Sequence, residues 1–265
     1  MKMSTSIGLS FNAYAEPNAL PGMLEVASRF YDELVMISAP PEGRSNDETI
    51  AIAEKWGVRV VHSTIDKGFG YVRTQCIRES TCEWVVIQDA DERIFWNAWQ
   101  LSCEGTESWN PDTCPEPKLT ITNHGGYDQG TLLRNAIENP EVDGIRFVRR
   151  HWFDFSMKRP TQNFMTISDW QLRCVRNRPY ISYARGMHES IVDSRTGQCP
   201  AHSTMQPDNL SGLFFDHFHL WFKQNFEVDQ RREDVETYNR IHMLIDGHGT
   251  PQEPKIGGNQ QSVFP

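Results

Sequence analysis

Three carboxylates follow a short apolar run in the first half of the chain. The run covers residues 84–87, and Asp89, Asp91 and Glu92 come just after it. Because strand side chains alternate between two faces, Asp89 and Asp91 can point the same way where such a strand ends. Like charges this close repel each other unless a cation or strong donors lie between them. Carboxylate oxygens suit Mg²⁺ or Mn²⁺, which usually bind together with phosphates. The spacing predicts a divalent ion that holds a diphosphate, with a solvated acidic turn as the alternative.

Strand and helix patterns alternate along the residues that precede these carboxylates. The predicted elements are strands at 6–11, 33–38, 58–62 and 84–87, and helices at 19–31, 46–56 and 71–79. Strands that alternate with helices of roughly ten residues indicate a parallel sheet with right-handed crossovers. In open sheets of this kind ligands bind beyond the carboxyl ends of the strands, which is where Asp89 and Asp91 lie. The predicted fold class is therefore α/β, with a mostly parallel sheet flanked by helices.

Four motifs occur in an order that is typical of one family. They are Ser45-Asn46-Asp47-Glu48-Thr49, the glycine-rich turn 67–73, Asp89-Ala90-Asp91-Glu92, and 172–177 followed by Gly186-Met187-His188-Glu189. Together they resemble a family 2 glycosyltransferase of GT-A fold, in particular a bacterial branch with a His-Glu motif in its C-terminal half. The resemblance covers most of residues 6–240. It implies a GT-A-like, Rossmann-type sheet and an enzyme that moves a sugar from a nucleotide-diphosphate sugar to an acceptor hydroxyl, with inversion of configuration.

The resemblance also implies a divalent metal, Mn²⁺ or Mg²⁺, and the residues that hold it. Asp91 would be the direct ligand, and Asp89 would contact the metal or the ribose. A histidine from the C-terminal part often completes the metal sphere in GT-A enzymes, and His219, or alternatively His217, would take that role. An imidazole suits Mn²⁺ better than Mg²⁺. The alternative is that each histidine is an ordinary hydrogen-bonded, half-buried side chain.

The donor nucleotide would lie at the ends of the first strands. The candidate donor-binding residues are Asn12, Ser38, Arg73 and Asp89, with Arg73 placed at the diphosphate. Family members usually carry one or two aspartates at the end of the second strand, where this chain has Ser38 and Ala39. This departure weakens any inference that the donor carries uridine.

The second half of the chain would supply the acceptor side and the general base. Inverting transfer needs a base near the acceptor hydroxyl and electrostatic help for the leaving diphosphate. The resemblance gives the role of base to Glu189, with a pKa raised by burial, and Asp169 is the competing candidate. Trp152 and Trp170 are candidates for stacking on a sugar ring, and core packing is the alternative. His188 is a further acceptor candidate.

Length and composition favour one large domain. At 265 residues and 38% hydrophobic composition, the chain can bury a sizeable core. The predicted division is a nucleotide-sugar-binding half at 1–100, an insertion at 101–125, an acceptor-binding half at 126–225, and a C-terminal helix and tail at 226–265. No run approaches 18 apolar residues, which predicts no transmembrane segment and a cytoplasmic protein. The six cysteines form no C-x-x-C pair, which argues against a zinc site.

The chemistry of the acceptor is left open by the sequence. A saccharide, a lipid-linked glycan, a peptide or a modified nucleobase in DNA would each provide a hydroxyl. The net charge of −9 gives the whole surface no affinity for nucleic acid. Two basic clusters, at 146–150 and 173–178, would have to line the same cleft as Asp91 for DNA to be a serious candidate.

Two other functions fit parts of this pattern. A nucleotidyltransferase also places carboxylates and a metal at the end of a parallel sheet, but it normally has a glycine-rich, basic loop after its first strand. Here that loop, residues 12–17, contains no glycine, lysine or arginine. A non-catalytic GT-A module that binds nucleotide is the second alternative, and the absence of aspartate at Ser38 and Ala39 supports it. The joint presence of Asp89, Asp91 and Glu189 favours the enzyme.

Overall fold

The computed structural model describes residues 5–94, 100–102, 118–120, 129–152, 169–184, 190–204 and 213–218. The helices of these residues are α1 Leu20–Ala27, α2 Asp47–Lys55, α3 Phe69–Glu79 and α4 Gln129–Ile137, with a 3₁₀ turn at Ile65–Lys67. The strands are β1 Ile7–Asn12, β2 Glu33–Ser38, β3 Arg59–His62, β4 Trp84–Ile87, β5 Glu92–Arg93, β6 Gln100–Ser102, β7 Lys118–Thr120, β8 Gly144–His151, β9 Asp169–Arg176, β10 Ile181–Ala184, β11 Ser190–Asp193, β12 His202–Thr204 and β13 Phe214–His217. No helix within the described ranges has the length and apolar character needed to cross a membrane.

One mixed sheet carries most of the described strands. Its order is β3-β2-β1-β4-β9-β8-β13-β5, and β12 pairs with β8 beside that path. The first half of the sheet is parallel: β3 pairs with β2, β2 with β1, and β1 with β4, each in parallel fashion. Strand β9 runs antiparallel to both β4 and β8, whereas β13 is parallel to β8 and antiparallel to β5. The predicted α/β fold is confirmed. The antiparallel strand β9 lies between the first half of the sheet, β3-β2-β1-β4, and the second half, β8-β13-β5.

The alternation of side chains along β4 explains its continuous apolar sequence. Trp84 and Val86 pack into the hydrophobic cluster beneath α1, α2 and α4, whereas Val85 and Ile87 pack into a second cluster beneath α3. All four side chains are buried, as is typical of a strand covered by helices on both faces. Because the strand is held from both sides, the polar residues that follow Ile87 have a defined position.

Most predicted elements of the first half occur where the sequence places them. Strand β2 matches its predicted bounds, and Gly57 ends α2 with φ of 73°, a left-handed conformation that glycine adopts without strain. Helix α1 is shorter than the helix predicted at 19–31. The chain turns after Ala27, whose carbonyl accepts hydrogen bonds from the N–H groups of both Phe30 and Tyr31.

The predicted insertion and C-terminal helix fall mainly outside the described residues. Strands β6 and β7 pair with each other in antiparallel fashion, so a hairpin brackets much of the predicted insertion at 101–125. The helix and tail predicted at 226–265 lie outside the described part of the chain.

Glu33, at the start of β2, links three segments at the amino ends of the strands. Its carboxylate accepts hydrogen bonds from the Thr81 N–H and the Ser80 hydroxyl, each at 2.8 Å, and from Arg59 at 3.2 Å. Burial raises the pKa of Glu33, but these donors outweigh burial and lower the pKa overall. A carboxyl group with a lowered pKa stabilises the fold above its unfolded-state pKa, and this contribution is lost as pH falls through the folded-state pKa.

We expect Glu33→Gln to make the fold less sensitive to acid. At neutral pH the variant lacks charge-assisted hydrogen bonds and should have a free energy of unfolding lower by about 1 kcal/mol. The difference from wild type should shrink below roughly pH 4, where Glu33 becomes protonated in wild type as well. Urea unfolding of both proteins across this range measures it. A difference that is the same at neutral and acidic pH would contradict the role given to the Glu33 charge.

Candidate functional site

The turn after β4 lies where three separate parts of the sheet meet. Strand β4 ends at Ile87, and the turn that follows leads directly into β5. Strand β5 pairs with β13 in a register that places His217 opposite Glu92. Strand β13 also pairs with β8, which places His217 beside His151. The sheet thus brings two histidines from distant parts of the sequence to the predicted carboxylates.

Asp89 is held between two arginines. Arg73, on α3, donates to Asp89 Oδ1 at 2.7 Å, and Arg173, on β9, contacts Asp89 Oδ2 at 3.4 Å. Burial raises the pKa of Asp89, but the guanidinium groups of Arg73 and Arg173 outweigh burial and lower the pKa overall. The side chain of Asp89 keeps 27% of its surface exposed, so the anion still faces open space. The sequence predicted strong donors or a cation beside this carboxylate, and arginines provide the donors.

Glu92 shapes the turn from within. It is fully buried, and its carboxylate accepts hydrogen bonds from Arg173 and from the Asp89 N–H, both at 2.9 Å. Burial raises the pKa of Glu92 to about 6, and the charge of Arg173 only partly opposes this shift. Arg173 therefore joins the buried Glu92 to the half-buried Asp89. The sequence placed Arg173 in the motif at 172–177 and in the basic cluster at 173–178, but it indicated no role for Arg173 beside the carboxylates.

Asp91 contacts a histidine. The Nε2 atom of His217 lies 3.4 Å from Asp91 Oδ2, and the Phe218 N–H donates to the Asp91 carbonyl at 3.0 Å. Burial lowers the pKa of His217, but the contact with Asp91 and the charge of Glu92 outweigh burial and raise the pKa overall. On its other side, His217 Nδ1 lies 2.9 Å from His151 Nδ1, so one of these two nitrogens donates and the other accepts.

Asp91 and His217 together offer two metal-ligating atoms to one point. A carboxylate oxygen and an imidazole nitrogen form a donor set that Mn²⁺ accepts. Among the described residues, no group of three or more His, Cys, Asp or Glu side chains is arranged to hold a metal ion. An ion at this point would therefore draw two ligands from the described part of the chain and leave its other positions to a bound diphosphate or water.

The motif at 45–49 fixes the loop that follows β1. The Asn46 amide donates to the Ala13 carbonyl at 2.8 Å and to the Ser38 hydroxyl at 2.9 Å, and its oxygen accepts from the Ala15 N–H at 3.0 Å. Ser38 is buried, so its side chain offers no surface to a nucleotide. The structure gives Ser38 a role in holding the loop instead. Sequence reasoning placed Asn46 within a motif but missed this role, which depends on contacts between distant segments.

Asn12, the other candidate for binding the nucleotide sugar on the first strands, lies at the end of β1. Its side-chain oxygen is buried and has no hydrogen-bond partner among the described residues. A ligand that donates a hydrogen bond would satisfy this oxygen, and the assignment of Asn12 to the nucleotide-sugar site stays a prediction.

The two tryptophans predicted on the acceptor side differ in their surroundings. Trp152 is fully buried, and its indole N–H donates to Asp216 Oδ1 at 2.6 Å. It has no exposed face on which a sugar could stack, and core packing, the alternative reading, describes it. Trp170 is half-buried and lines a cavity together with Arg73 and Asp89. Of the two tryptophans, Trp170 is the one that lines the cavity.

Several predicted site residues fall outside the described part of the chain. Glu189, His188 and His219 are among them, and for Asp169 only its backbone position in β9 is described. His217, the alternative metal ligand, lies within the described residues and contacts Asp91.

The Asp89 carboxylate opens into a cavity of about 730 Å³. The cavity is lined by residues of α3, β8, β9, β10 and β11, so both halves of the chain contribute to it. A cavity of this size accommodates a small molecule or part of one.

The sheet and this site define a GT-A-like α/β fold. The structure is similar to that of S. aureus TarS residues 1–349, with a TM-score of 0.50 and 12% sequence identity over 92% of this chain and 73% of that one. This likeness confirms the predicted fold.

A part of the sequence matches a known family. Residues 14–100 match the model of Glycosyl transferase family 2, which confirms the resemblance to that family over this segment. An uncharacterized glycosyltransferase of Rickettsia conorii is 40% identical over 65 residues, or 24% of this chain and 21% of the relative. A TPR repeat-containing protein of Synechococcus elongatus is 26% identical over 179 residues, or 68% of this chain and 34% of the relative. The matched segments span about a third of the Synechococcus elongatus protein and about a fifth of the Rickettsia conorii protein.

Proposed function

We propose that this protein is a metal-dependent glycosyltransferase that moves a sugar from a nucleotide-diphosphate sugar to an acceptor hydroxyl, with inversion. One observation carries the proposal. In a chain whose residues 14–100 match Glycosyl transferase family 2, the Asp-x-Asp turn is flanked by arginines on one side and by a histidine on the other. Anionic oxygens, cationic donors and an imidazole at the carboxyl end of a parallel sheet are the groups that a metal–diphosphate requires.

Asp91 and His217 would hold the metal, and Mn²⁺ fits their donor atoms better than Mg²⁺. When bound, the ion would offset the negative charge that develops on the leaving diphosphate. His151 supports this role, because a histidine that ligates through Nε2 carries a proton on Nδ1 and needs an acceptor there. His151 Nδ1, at 2.9 Å, is that acceptor.

Arg73 would bind the diphosphate, and Asp89 would orient Arg73 and contact the ribose or the metal. The 2.7 Å contact between Arg73 and Asp89 fixes the guanidinium before a ligand arrives, which reduces the entropy lost on binding. Asp89 keeps exposed surface, as a group that contacts substrate must. Asn12, with its buried carbonyl oxygen, would accept a hydrogen bond on the donor side.

The acceptor would bind in the second half of the chain, with Glu189 as the base and Asp169 as its alternative. Trp170, which lines the cavity next to Asp89, would contact the acceptor, as would His188. This division assigns the nucleotide sugar to residues 1–100 and the acceptor to residues 126–225.

The test is thermal stabilisation of the protein by UDP-, GDP-, dTDP- and CMP-sugars, each with and without Mn²⁺. One diphosphate sugar at about a hundred times its Kd should raise Tm by roughly 5–10 °C, and only with Mn²⁺ present. The CMP-sugar is the matched control, because it lacks a diphosphate. The bound donor should also be hydrolysed slowly, which releases free nucleoside diphosphate.

Two outcomes would contradict the proposal in different ways. If no diphosphate sugar gives a shift that depends on Mn²⁺, the site does not bind such a donor. If one donor binds but is neither hydrolysed nor transferred to any acceptor of a saccharide, lipid-linked glycan and peptide panel, the chain is a nucleotide-binding module rather than an enzyme.

A further inference from the structure

The cavity beside Asp89 is lined by four arginines. Among its described residues these are Arg73, Arg146, Arg149 and Arg173, and they face it from three different elements, α3, β8 and β9. Asp89 is the carboxylate among the described lining residues. Such a concentration of positive charge in a concave site favours an anionic ligand.

Two of these arginines form ion pairs with carboxylates of the protein itself. Arg73 contacts Asp89, and Arg173 contacts both Asp89 and Glu92. Their geometry is explained by the turn that they support. Their presence in the cavity does not by itself call for a further ligand.

Arg146 differs from these two residues. Its Nε atom is buried, and it has no hydrogen-bond partner among the described residues. No ion pair joins Arg146 to a carboxylate within the described part of the chain. A buried donor without a partner is costly, and an anion bound by the Arg146 guanidinium in the cavity would offset part of this cost.

Arg146 and Arg149 differ from the neighbouring Arg150. Arg150 is buried and contacts Asp216 at 2.7 Å, and it is not among the described residues that line the cavity. Arg146 and Arg149 both line the cavity. The basic cluster at 146–150 is therefore divided between a structural arginine and two that face a ligand site.

We infer that the acceptor substrate carries an anionic group, a phosphate or a carboxylate, which binds Arg146 in this cavity. This inference rests on the proposed glycosyl transfer and names the acceptor class for it. The acceptor is favoured over the donor because Arg146 lies on β8, in the half of the sheet that does not carry Arg73. Trp170, from β9, lines the same cavity and provides an apolar surface for the rest of the acceptor.

The volume of the cavity favours a small anion over a nucleic acid. At about 730 Å³ it matches the size of sites for small molecules. A duplex is instead held by a row of phosphate contacts along an open surface. The arginines at 150 and 176 cannot extend such a row, because both are buried against carboxylates.

The experiment titrates wild type, Arg146→Gln and Arg146→Lys with inorganic phosphate by calorimetry. The Gln variant should bind phosphate about tenfold more weakly than wild type, because it lacks a charge-assisted hydrogen bond, and the Lys variant should lie between them. Arg29→Gln, which alters an exposed arginine that contacts only Glu25 among the ion pairs of the described residues, is the matched control and should bind as wild type does. Equal phosphate affinity in wild type and folded Arg146→Gln would overturn the inference.

Further ligands identify the anion and exclude the donor and nucleic acid. Glycerol 3-phosphate, dimethyl phosphate and glycerate separate a phosphomonoester, a phosphodiester and a carboxylate, and one of them should depend on Arg146. Nucleoside diphosphate with Mn²⁺ should stabilise Arg146→Gln as much as wild type. A parallel loss of nucleotide binding would assign Arg146 to the donor and overturn the inference, as would binding of duplex DNA that depends on Arg146 and falls steeply with salt.

Failure of the inference is distinguishable from failure of the proposed function. If wild type shows no stabilisation by any nucleotide with Mn²⁺, glycosyl transfer fails, whatever the phosphate titration gives. If the nucleotide binds but phosphate affinity does not depend on Arg146, glycosyl transfer stands and the anionic acceptor fails.

Discussion

Replacing Asp91 with Asn should remove the Mn²⁺-dependent binding of nucleotide and lower transferase activity by about a hundredfold or more. The substitution keeps the size and shape of the side chain but removes the charge that would bind the ion. The Phe218 N–H donates to the backbone carbonyl of residue 91, so that contact is unchanged. The fold should remain intact, and the loss should be confined to ligand binding and chemistry.

The Asp91→Asn prediction is measured by thermal shift with the stabilising donor and Mn²⁺, together with calorimetry of Mn²⁺ in the presence of nucleoside diphosphate. Asp32→Asn is the matched control. Asp32 lies at the amino ends of the strands, away from the site. Its carboxylate accepts a hydrogen bond from the Ile7 N–H at 2.8 Å, and the amide oxygen of an asparagine can accept the same bond. Retention of Mn²⁺-dependent binding by a folded Asp91→Asn variant would show that the ion binds elsewhere.

Replacing Asp216 with Ala should lower the free energy of unfolding by about 3–5 kcal/mol. Asp216 is buried, contacts Arg150 at 2.7 Å and accepts a hydrogen bond from the Trp152 indole at 2.6 Å. Burial raises the pKa of Asp216 and lowers that of Arg150 to about 10, so the protein environment disfavours both charges and their mutual contact offsets this cost. The alanine variant leaves the guanidinium buried without this carboxylate.

The Asp216 prediction is measured by urea unfolding at neutral pH. Glu25→Ala, which breaks the exposed pair with Arg29, should change stability by no more than about 0.5 kcal/mol. The double variant Arg150→Met with Asp216→Leu should recover much of the loss, because it removes both buried charges at once. A single variant as stable as wild type would contradict the view that this pair holds β8 against β13.

The Asp216 pair also matters for the proposed chemistry. Asp216 lies in β13 immediately before His217, and its backbone pairs with Arg150 of β8 on one side and with Arg93 of β5 on the other. If β13 loosens, His217 loses its defined position beside Asp91. We therefore expect the Asp216→Ala variant, where it still folds, to bind Mn²⁺ and nucleotide more weakly as well.

Local sequence determined the first half of the fold and the location of the carboxylates. The periods of strands and helices are local properties, so β1, β2, α2, β3, α3 and β4 lie close to their predicted positions. The Asp-x-Asp turn follows β4 because an apolar run of four residues, buried on both faces, must end where polar residues begin. The GT-A-like fold follows from the order of these elements.

Tertiary structure alone decided which side chains surround those carboxylates. Arg173 and His217 come from strands whose pairing with β4 and β5 depends on contacts between segments far apart in the chain. The sequence offered His219, with His217 as the alternative, as a metal ligand, and Trp152 and Trp170 as acceptor contacts. The register of β13 sets His217 beside Asp91, and burial separates Trp152 from Trp170. The same holds for the arginines of β8, because only the tertiary contacts of this strand pair Arg150 with Asp216 and place Arg146 at the cavity.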